Sequence, residues 1–220
     1  MQIITKCGIR LTGTGQPPAR MKHYNTEAAY ITASVARSLT QLRTDHIDVL
    51  LIHRPDPLMD ADEVARCLED LRAQGKVLHF GVSNHSASQT ALLQSRCTMP
   101  LVTNQVEISL RHLETFSNGV LDDCQTRRMR PMAWSPLAGG NLLREDFLSH
   151  LLREMAHELG LQTPQQVALA WLLAHPAGII PVIGSSKRER LSQAAAAAGI
   201  RMGREDWFRL WSAALGHEVA

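Results

Sequence analysis

Short apolar runs alternate with amphipathic stretches along the whole sequence, and no other feature constrains the fold as tightly. Six runs stand out: Ile3-Ile4-Thr5-Lys6, Ile47 to His53, Val77 to Ser83, Leu101 to Glu107, Pro131 to Ser135 and Ile179 to Gly184. The second, Ile-Asp-Val-Leu-Leu-Ile-His, is nearly continuous hydrophobe, as a strand covered on both faces requires. Strands that alternate with helical patterns are βα units, whose strands lie in parallel. The helical segments carry start and stop signals. Asp60 with Glu63 predicts a capping box, Val64, Cys67, Leu68 and Leu71 fall on one face, and Gly75 suits a left-handed stop. Thr163-Pro164-Gln165-Gln166 offers an N-cap, a proline at the first helical position and a glutamine able to reach back, ahead of a stripe of Val167, Ala170, Trp171 and Ala174. After the last strand the pattern predicts a helix over about Lys187 to Ala198, then one with Trp207, Leu210, Trp211 and Ala214 on a shared face.

The 220 residues, 45% hydrophobic and 20% charged, suffice for a sizeable core and contain no linker, so 1–220 reads as one domain. Six strands fall short of the eight of a closed barrel, which predicts an α/β fold of (β/α)8 TIM-barrel type, incomplete. The first and last strands would then keep open edges, paired in a dimer or left by truncation, and the oligomeric state stays open. No apolar run approaches the ~20 residues that span a bilayer, and no leader is visible, so a cytoplasmic protein without a membrane partner is expected. Cys7, Cys67, Cys97 and Cys124 stand far apart with no Cys-x-x-Cys pair, which indicates neither a metal site nor a disulfide framework. With a net charge of +2 and basic residues dispersed outside Arg127-Arg128-Met129-Arg130 and Lys187-Arg188-Glu189-Arg190, nucleic-acid binding is excluded.

In parallel β/α folds, working residues sit at the C-terminal ends of strands and in the loops that follow. Lys6 ends the first run and His53 the second, where Arg54-Pro55-Asp56 opens a loop. On neighbouring strands, an ammonium and an imidazole face one mouth and can polarise a carbonyl or lower the pKa of an acid; each alone could be a polar tip reaching for water. Ser83 and Asn84 end the third run and Gln105 lies in the fourth, setting a hydroxyl and two carboxamides where an amide ligand could bind, or serving as turn residues. Trp134 ends the fifth run ahead of Ser135-Pro136-Leu137-Ala138-Gly139-Gly140, a ring for stacking on a flat ligand or for filling the core. The last run leads into Gly184, Ser185 and Arg190: close backbone approach, a cap, and a guanidinium one to two turns into the next helix, together an anion site. Lys187 and Arg188 read as a solvated basic face.

The ordered set Ile-Ile-Thr-Lys, Leu-Leu-Ile-His-Arg-Pro-Asp, Gly-Val-Ser-Asn, Asn-Gln-Val-Glu, Trp-Ser-Pro-Leu-Ala-Gly-Gly and Pro-Val-Ile-Gly-Ser resembles the aldo-keto reductases, over essentially the whole chain and in family order. That resemblance implies an NADPH-dependent oxidoreductase reducing a small aldehyde or ketone to an alcohol. It makes Lys6 and His53 the catalytic lysine and histidine. Ser83, Asn84 and Gln105 then hold the nicotinamide carboxamide, and Trp134 stacks on the nicotinamide. Ser135, Leu137 and Gly139 follow the pyrophosphate, while Gly184, Ser185 and Arg190 take the adenosine end. The 2′-phosphate would be gripped by Ser185 and Arg190, favouring NADPH over NADH. Some relatives carry a lysine at the Gly184 position; this chain does not. The family also uses an Asp and a proton-donating Tyr from two earlier βα units, which this sequence does not contain; its tyrosines are Tyr24 and Tyr30. Such a chain alone is expected to turn over weakly or not at all, with a non-catalytic NADP(H)-binding regulatory module as the alternative.

Overall fold

The computed structural model describes residues 1–15 and 17–220, and the chain divides into two compact units. The first comprises Met1–Gln105 with Thr126–Met129, the second Val106–Gln125 with Arg130–Ala220. In the first unit the elements are β1 (Ile4–Cys7), β2 (Ile9–Arg10), β3 (His23–Tyr24), α1 (Ala28–Leu42), β4 (Ile47–Ile52), α2 (Ala61–Ala73), β5 (Val77–Ser83), α3 (Ala87–Gln94) and most of β6 (Leu101–Glu107). Strands β1, β4, β5 and β6 pair in parallel in chain order, while β2 and β3 form a small antiparallel hairpin. The run of hydrophobes in β4 is buried as expected: Leu50, Leu51 and Ile52 are all but inaccessible.

Local chemistry explains the helix boundaries. Asp60 caps α2, its Oδ1 accepting from the N–H groups of Asp62 and Glu63 at 2.9 and 3.1 Å. Glu63, the expected second half of that capping box, does something else. Its Oε1 accepts from the N–H of Ala28 at 2.8 Å and so caps α1, whose N-cap Glu27 supplies no side-chain bond. A tertiary donor thus takes the carboxylate that the sequence pattern assigns to its own helix. Gly75 ends the α2 segment at φ +68°, the left-handed stop predicted for it.

The close pairing of β5 with β6 sets the position of the first unit's polar residues. Phe80 pairs with Leu101 but Val82 with Asn104, so β6 spends one residue more than β5 across this step. The extra residue presses backbone against Gly81: a Cβ there would lie 2.6 Å from the Thr103 carbonyl oxygen and 2.9 Å from Leu51 Cδ2. A side chain is excluded by contact and not by dihedral angle.

In the second unit, α4 (Val120–Thr126), whose last residue returns to the first unit, is followed by β7 (Met132–Trp134), α5 (Phe147–Glu158), α6 (Pro164–Leu173), β8 (Ile180–Pro181), α7 (Arg188–Ala196) and α8 (Arg204–Leu215). Strands β7 and β8 pair in parallel, Met132 with Ile180 and Ala133 with Pro181. Helix α6 is buried at every residue from Gln166 to Leu172, wider than the predicted stripe, while Ala174 lies outside the helix and exposed. Its Trp171 stacks on Trp207 of α8, ring centroids 4.9 Å apart and planes 14° from parallel. Each indole N–H donates to the other's carbonyl at 3.1 Å, so both polar edges are satisfied inside an apolar cluster with Phe116 and Trp211.

Replacing Gly81 by alanine should cost about 1–3 kcal/mol, the usual range for forcing a methyl into a packed site. Urea unfolding at pH 7 measures it; an unchanged midpoint would show that β6 yields freely.

Candidate functional site

Strand ends carry the first unit's candidate residues. Lys6 sits one residue before the end of β1, opposite Leu51 of β4. His53 follows β4 directly and closes the ladder, its N–H donating to the Cys7 carbonyl at 2.8 Å. Both side chains are half-buried, and burial lowers the pKa of each. For His53 the positive charges of Lys6, Arg54 and Lys22 lower it further. The neutral imidazole is therefore favoured at pH 7, able to donate one N–H, beside a lysine whose ammonium burial disfavours.

Ser83, Asn84 and Gln105 are bound to one another. The Ser83 hydroxyl donates to the Gln105 carbonyl at 2.8 Å, and the Asn84 backbone N–H donates to the same oxygen at 3.0 Å. Asn84 Nδ2 donates to Ser83 Oγ at 2.8 Å. Since its proton is committed to a protein carbonyl, the Ser83 hydroxyl can offer a further ligand only a lone pair. Ser83 and Gln105 are buried, Asn84 is half-buried, and Asn84 holds φ +58°. Ser135, in the other group of candidate residues, and Ala138 in the same loop are also left-handed at φ +49° and +53°. Such residues cost about 1–2 kcal/mol apiece, least for asparagine, and persist where their surroundings fix them.

The second unit's candidates line one cavity of about 780 Å³, a size usual for small-molecule sites. Trp134, Ser135, Leu137, Gly139, Gly184, Ser185 and Arg190 all face it. Strand β7 delivers Trp134, and a 3-10 turn over Ala138–Leu143 carries Gly139 and Gly140 at φ +60° and +95° along its wall. Gly184 follows β8, and a Cβ built there meets nothing within 4 Å. Among the described residues no packing demands that glycine; it leaves room on the cavity side. Ser185 Oγ accepts from the Lys187 N–H at 3.2 Å, which leaves its hydroxyl proton for an anion. Arg190 is the third residue of α7, within its first turn and nearer the helix start than the sequence spacing indicates; α7 has no side-chain cap at its N-cap Lys187. Open N–H groups, a hydroxyl and a guanidinium converging on one cavity are the donor set for a phosphate, and Trp134 offers a ring for stacking. The residues fit a dinucleotide.

Several contributors carry no readable binding signal in the sequence. Leu142, Leu143, Thr163, Gln165, Gln166 and Gln193 also line the cavity. Gln166 joins two of its walls: its Oε1 accepts from the Thr163 N–H at 3.1 Å and its Nε2 donates to the Gln193 carbonyl at 3.1 Å. The 3-10 turn is fastened by Arg111, which donates to the Leu142 carbonyl at 2.8 Å and grips Asp146 through two guanidinium nitrogens at 2.7 and 3.1 Å. These bonds, foremost that of Arg111, hold the Asp146 carboxyl well below the usual carboxylate range. An arginine 31 residues from the carbonyl it secures cannot be paired with it from spacing alone.

A cavity beside strand ends of a βα fold, lined by anion donors and an aromatic ring, is the kind of site in which such folds bind small molecules, and comparison with known proteins gives the family. The aldo/keto reductase family model matches residues 1–214, and the chain belongs to that family. It is 48% identical over 222 residues to oxidoreductase YdhF of Escherichia coli (strain K12) and 47% identical over 222 residues to a 6-dehydroglucose reductase of Agrobacterium fabrum. Both matches cover 100% of this chain and 74% of the relative. The crystal structure of an aldo/keto reductase from Klebsiella pneumoniae in complex with NADP and acetate superposes with a TM-score of 0.76 at 29% identity, over 84% of this chain and 65% of that one. The fold is α/β of incomplete (β/α)8-barrel type, with the six predicted parallel strands present. Among the described residues no helix is long and apolar enough to cross a membrane.

Two measurements probe these environments. Lys6→Met removes one of the charges acting on His53, so the imidazole should titrate closer to its ordinary value, with the part due to burial remaining. NMR titration of the ring protons reads this, and an unmoved His53 would separate the two residues. Asp146, with a depressed pKa, contributes stability above the ordinary carboxylate range and loses it only as pH falls through its lowered value. The gap in urea midpoint between wild type and Asp146→Asn should therefore be open at pH 7 and narrow in strong acid.

Proposed function

We propose that this chain binds NADPH and serves the reduction of an aldehyde or ketone to an alcohol, its 220 residues acting as one domain in the cytoplasm. The observation that carries the reading is the single cavity that combines Trp134, the open approach at Gly184 and the anion donors Ser185 and Arg190. A 6-dehydroglucose reductase among its relatives and NADP in the Klebsiella structure support the same reading. So do four free cysteines, all buried, for a reducing compartment.

In this proposal Ser185, Arg190 and the start of α7 take the 2′-phosphate, which favours NADPH over NADH. Ser135, Leu137 and Gly139 follow the pyrophosphate, Gly184 admits the adenosine end, and Trp134 stacks on the nicotinamide. Ser83 accepts from the carboxamide NH2, because its own proton is engaged, and Asn84 and Gln105 complete that grip. Bound there, NADPH would supply the hydride. His53, neutral, donates a hydrogen bond to the substrate carbonyl oxygen, the Lys6 ammonium stabilises the negative charge that grows on it, and the proton that completes the alcohol comes from solvent.

A second reading, an NADP(H)-binding module without turnover, is favoured by the tyrosines. The Tyr30 hydroxyl donates to the Ile9 carbonyl at 2.8 Å, and Tyr24 lies in the β2–β3 hairpin paired with Ile9. With neither assigned as proton donor, we propose weak turnover by this chain alone, since general acid catalysis contributes about 10²–10⁴-fold.

Quenching of tryptophan fluorescence should show NADPH binding that Arg190→Ala weakens about tenfold or more, with NADH little affected, as a lost charge-assisted contact predicts. Absence of binding by wild type would sink both readings. In NADPH oxidation with 4-nitrobenzaldehyde we expect little turnover; robust activity abolished by His53→Ala would overturn that expectation and with it the non-catalytic reading.

A further inference from the structure

Behind Ser83, Asn84 and Gln105 lies a buried polar pair that the chemistry so far leaves unused. Asn104 precedes Gln105 on β6 and, by strand alternation, faces away from it; it is 2% exposed. Its side chain donates to the His85 carbonyl at 2.8 Å, and since a carbonyl only accepts, the atom facing it is Nδ2. The His85 ring, 1% exposed, turns back so that Nδ1 meets the Ser83 carbonyl at 3.1 Å, which by the same logic makes Nδ1 the protonated nitrogen. Asn104 Oδ1 and His85 Nε2 are buried and have no hydrogen-bond partner among the described residues. Leaving such groups unsatisfied costs about 1–3 kcal/mol each, so these residues are poor choices for stability alone.

Their bonds converge on the turn that presents Asn84. The ladder between β5 and β6 ends with the Asn84 N–H on the Gln105 carbonyl, and Asn104 adds one fastening beyond it, at His85. His85 then ties the far side of the turn back to Ser83. Asn84 is enclosed between these points at φ +58°. We propose that Asn104 and His85 are positioning residues, a buried clasp that holds Ser83 and Asn84 in the geometry that grips the carboxamide of a nicotinamide cofactor. The proposal rests on the NADPH reading above. Burial keeps His85 neutral, consistent with a single fixed tautomer.

The test compares two ligands on the full chain: NADPH, and adenosine 2′,5′-bisphosphate, which lacks the nicotinamide. Asn104→Ala and His85→Leu should weaken NADPH about tenfold or more, the scale of one lost hydrogen bond at a fixed contact, and leave the bisphosphate within about twofold. His85→Asn, which returns a donor to the Nδ1 position, should recover most of the NADPH affinity. Should Asn104→Ala fail to fold, the contrast between His85→Leu and His85→Asn carries the test. If wild type binds NADPH and the variants bind it equally well, or lose both ligands in parallel, the clasp is overturned while the NADPH reading stands. If wild type binds neither ligand, that reading falls and the clasp with it.

Discussion

A parallel strand covered on both faces favours apolar side chains along its length and leaves most chemistry to its end; the site follows from that constraint, with β6, which buries Asn104 and Gln105 in mid-strand, as the exception. Within β4 the hydrophobes Leu50, Leu51 and Ile52 are sealed, and the next group along the chain able to do chemistry is His53, immediately beyond. Strand β5 repeats the arrangement with Ser83 and Asn84, and β7 with Trp134. The same burial that stabilises the strands sets the electrostatics at their ends. It favours neutral His53 and strengthens the effect of nearby fixed charges, because water screens them less there than at an open surface.

Strain collects at these ends. Asn84, Ser135 and Ala138 hold left-handed backbone without being glycine, and each is secured by a local bond: the Asn84 N–H on the Gln105 carbonyl, the Ala138 N–H on the Ser135 carbonyl. Gly81 shows the complementary solution, where the backbone of Thr103 comes so close that a side chain has no room. Gly184 shows a third. Nothing among the described residues fills the space beside it, so its use lies with whatever enters the cavity. Glycines in one sequence thus serve three unrelated needs: a left-handed stop at Gly75, close contact at Gly81 and an open wall at Gly184.

Most of the elements were legible because they rest on local physics. The six strands fall on the predicted apolar runs, the helices start near Asp60 and Thr163, and Gly75 turns left-handed where the pattern puts it. The departures have tertiary causes. Glu63 abandons its own helix to cap α1, since a donor from another segment comes within 2.8 Å. Helix α6 is buried almost throughout because α8 brings Trp207 and Trp211 against its Trp171, where an isolated helix would show only a stripe. The candidate residues on strand ends were readable from their positions in the motifs; Arg111, His85 and Asn104 were not, because each acts on a group far away in the chain or on a backbone atom that carries no residue identity. Gln166 was readable as a helix cap but not as a cavity wall, since its bond to Gln193 spans 27 residues.

The sequence by itself determined the order of βα units, the family resemblance and the identity of the groups at the strand ends, because periodicity and residue type are local properties. Only the tertiary structure decided how those groups are held. Whether the Ser83 proton is spent on the Gln105 carbonyl, whether Arg111 secures Leu142, and which way Asn104 faces depend on distances between residues that are remote or oppositely directed in the chain. Hydrogen bonds act over about 3 Å, and that proximity is set by packing.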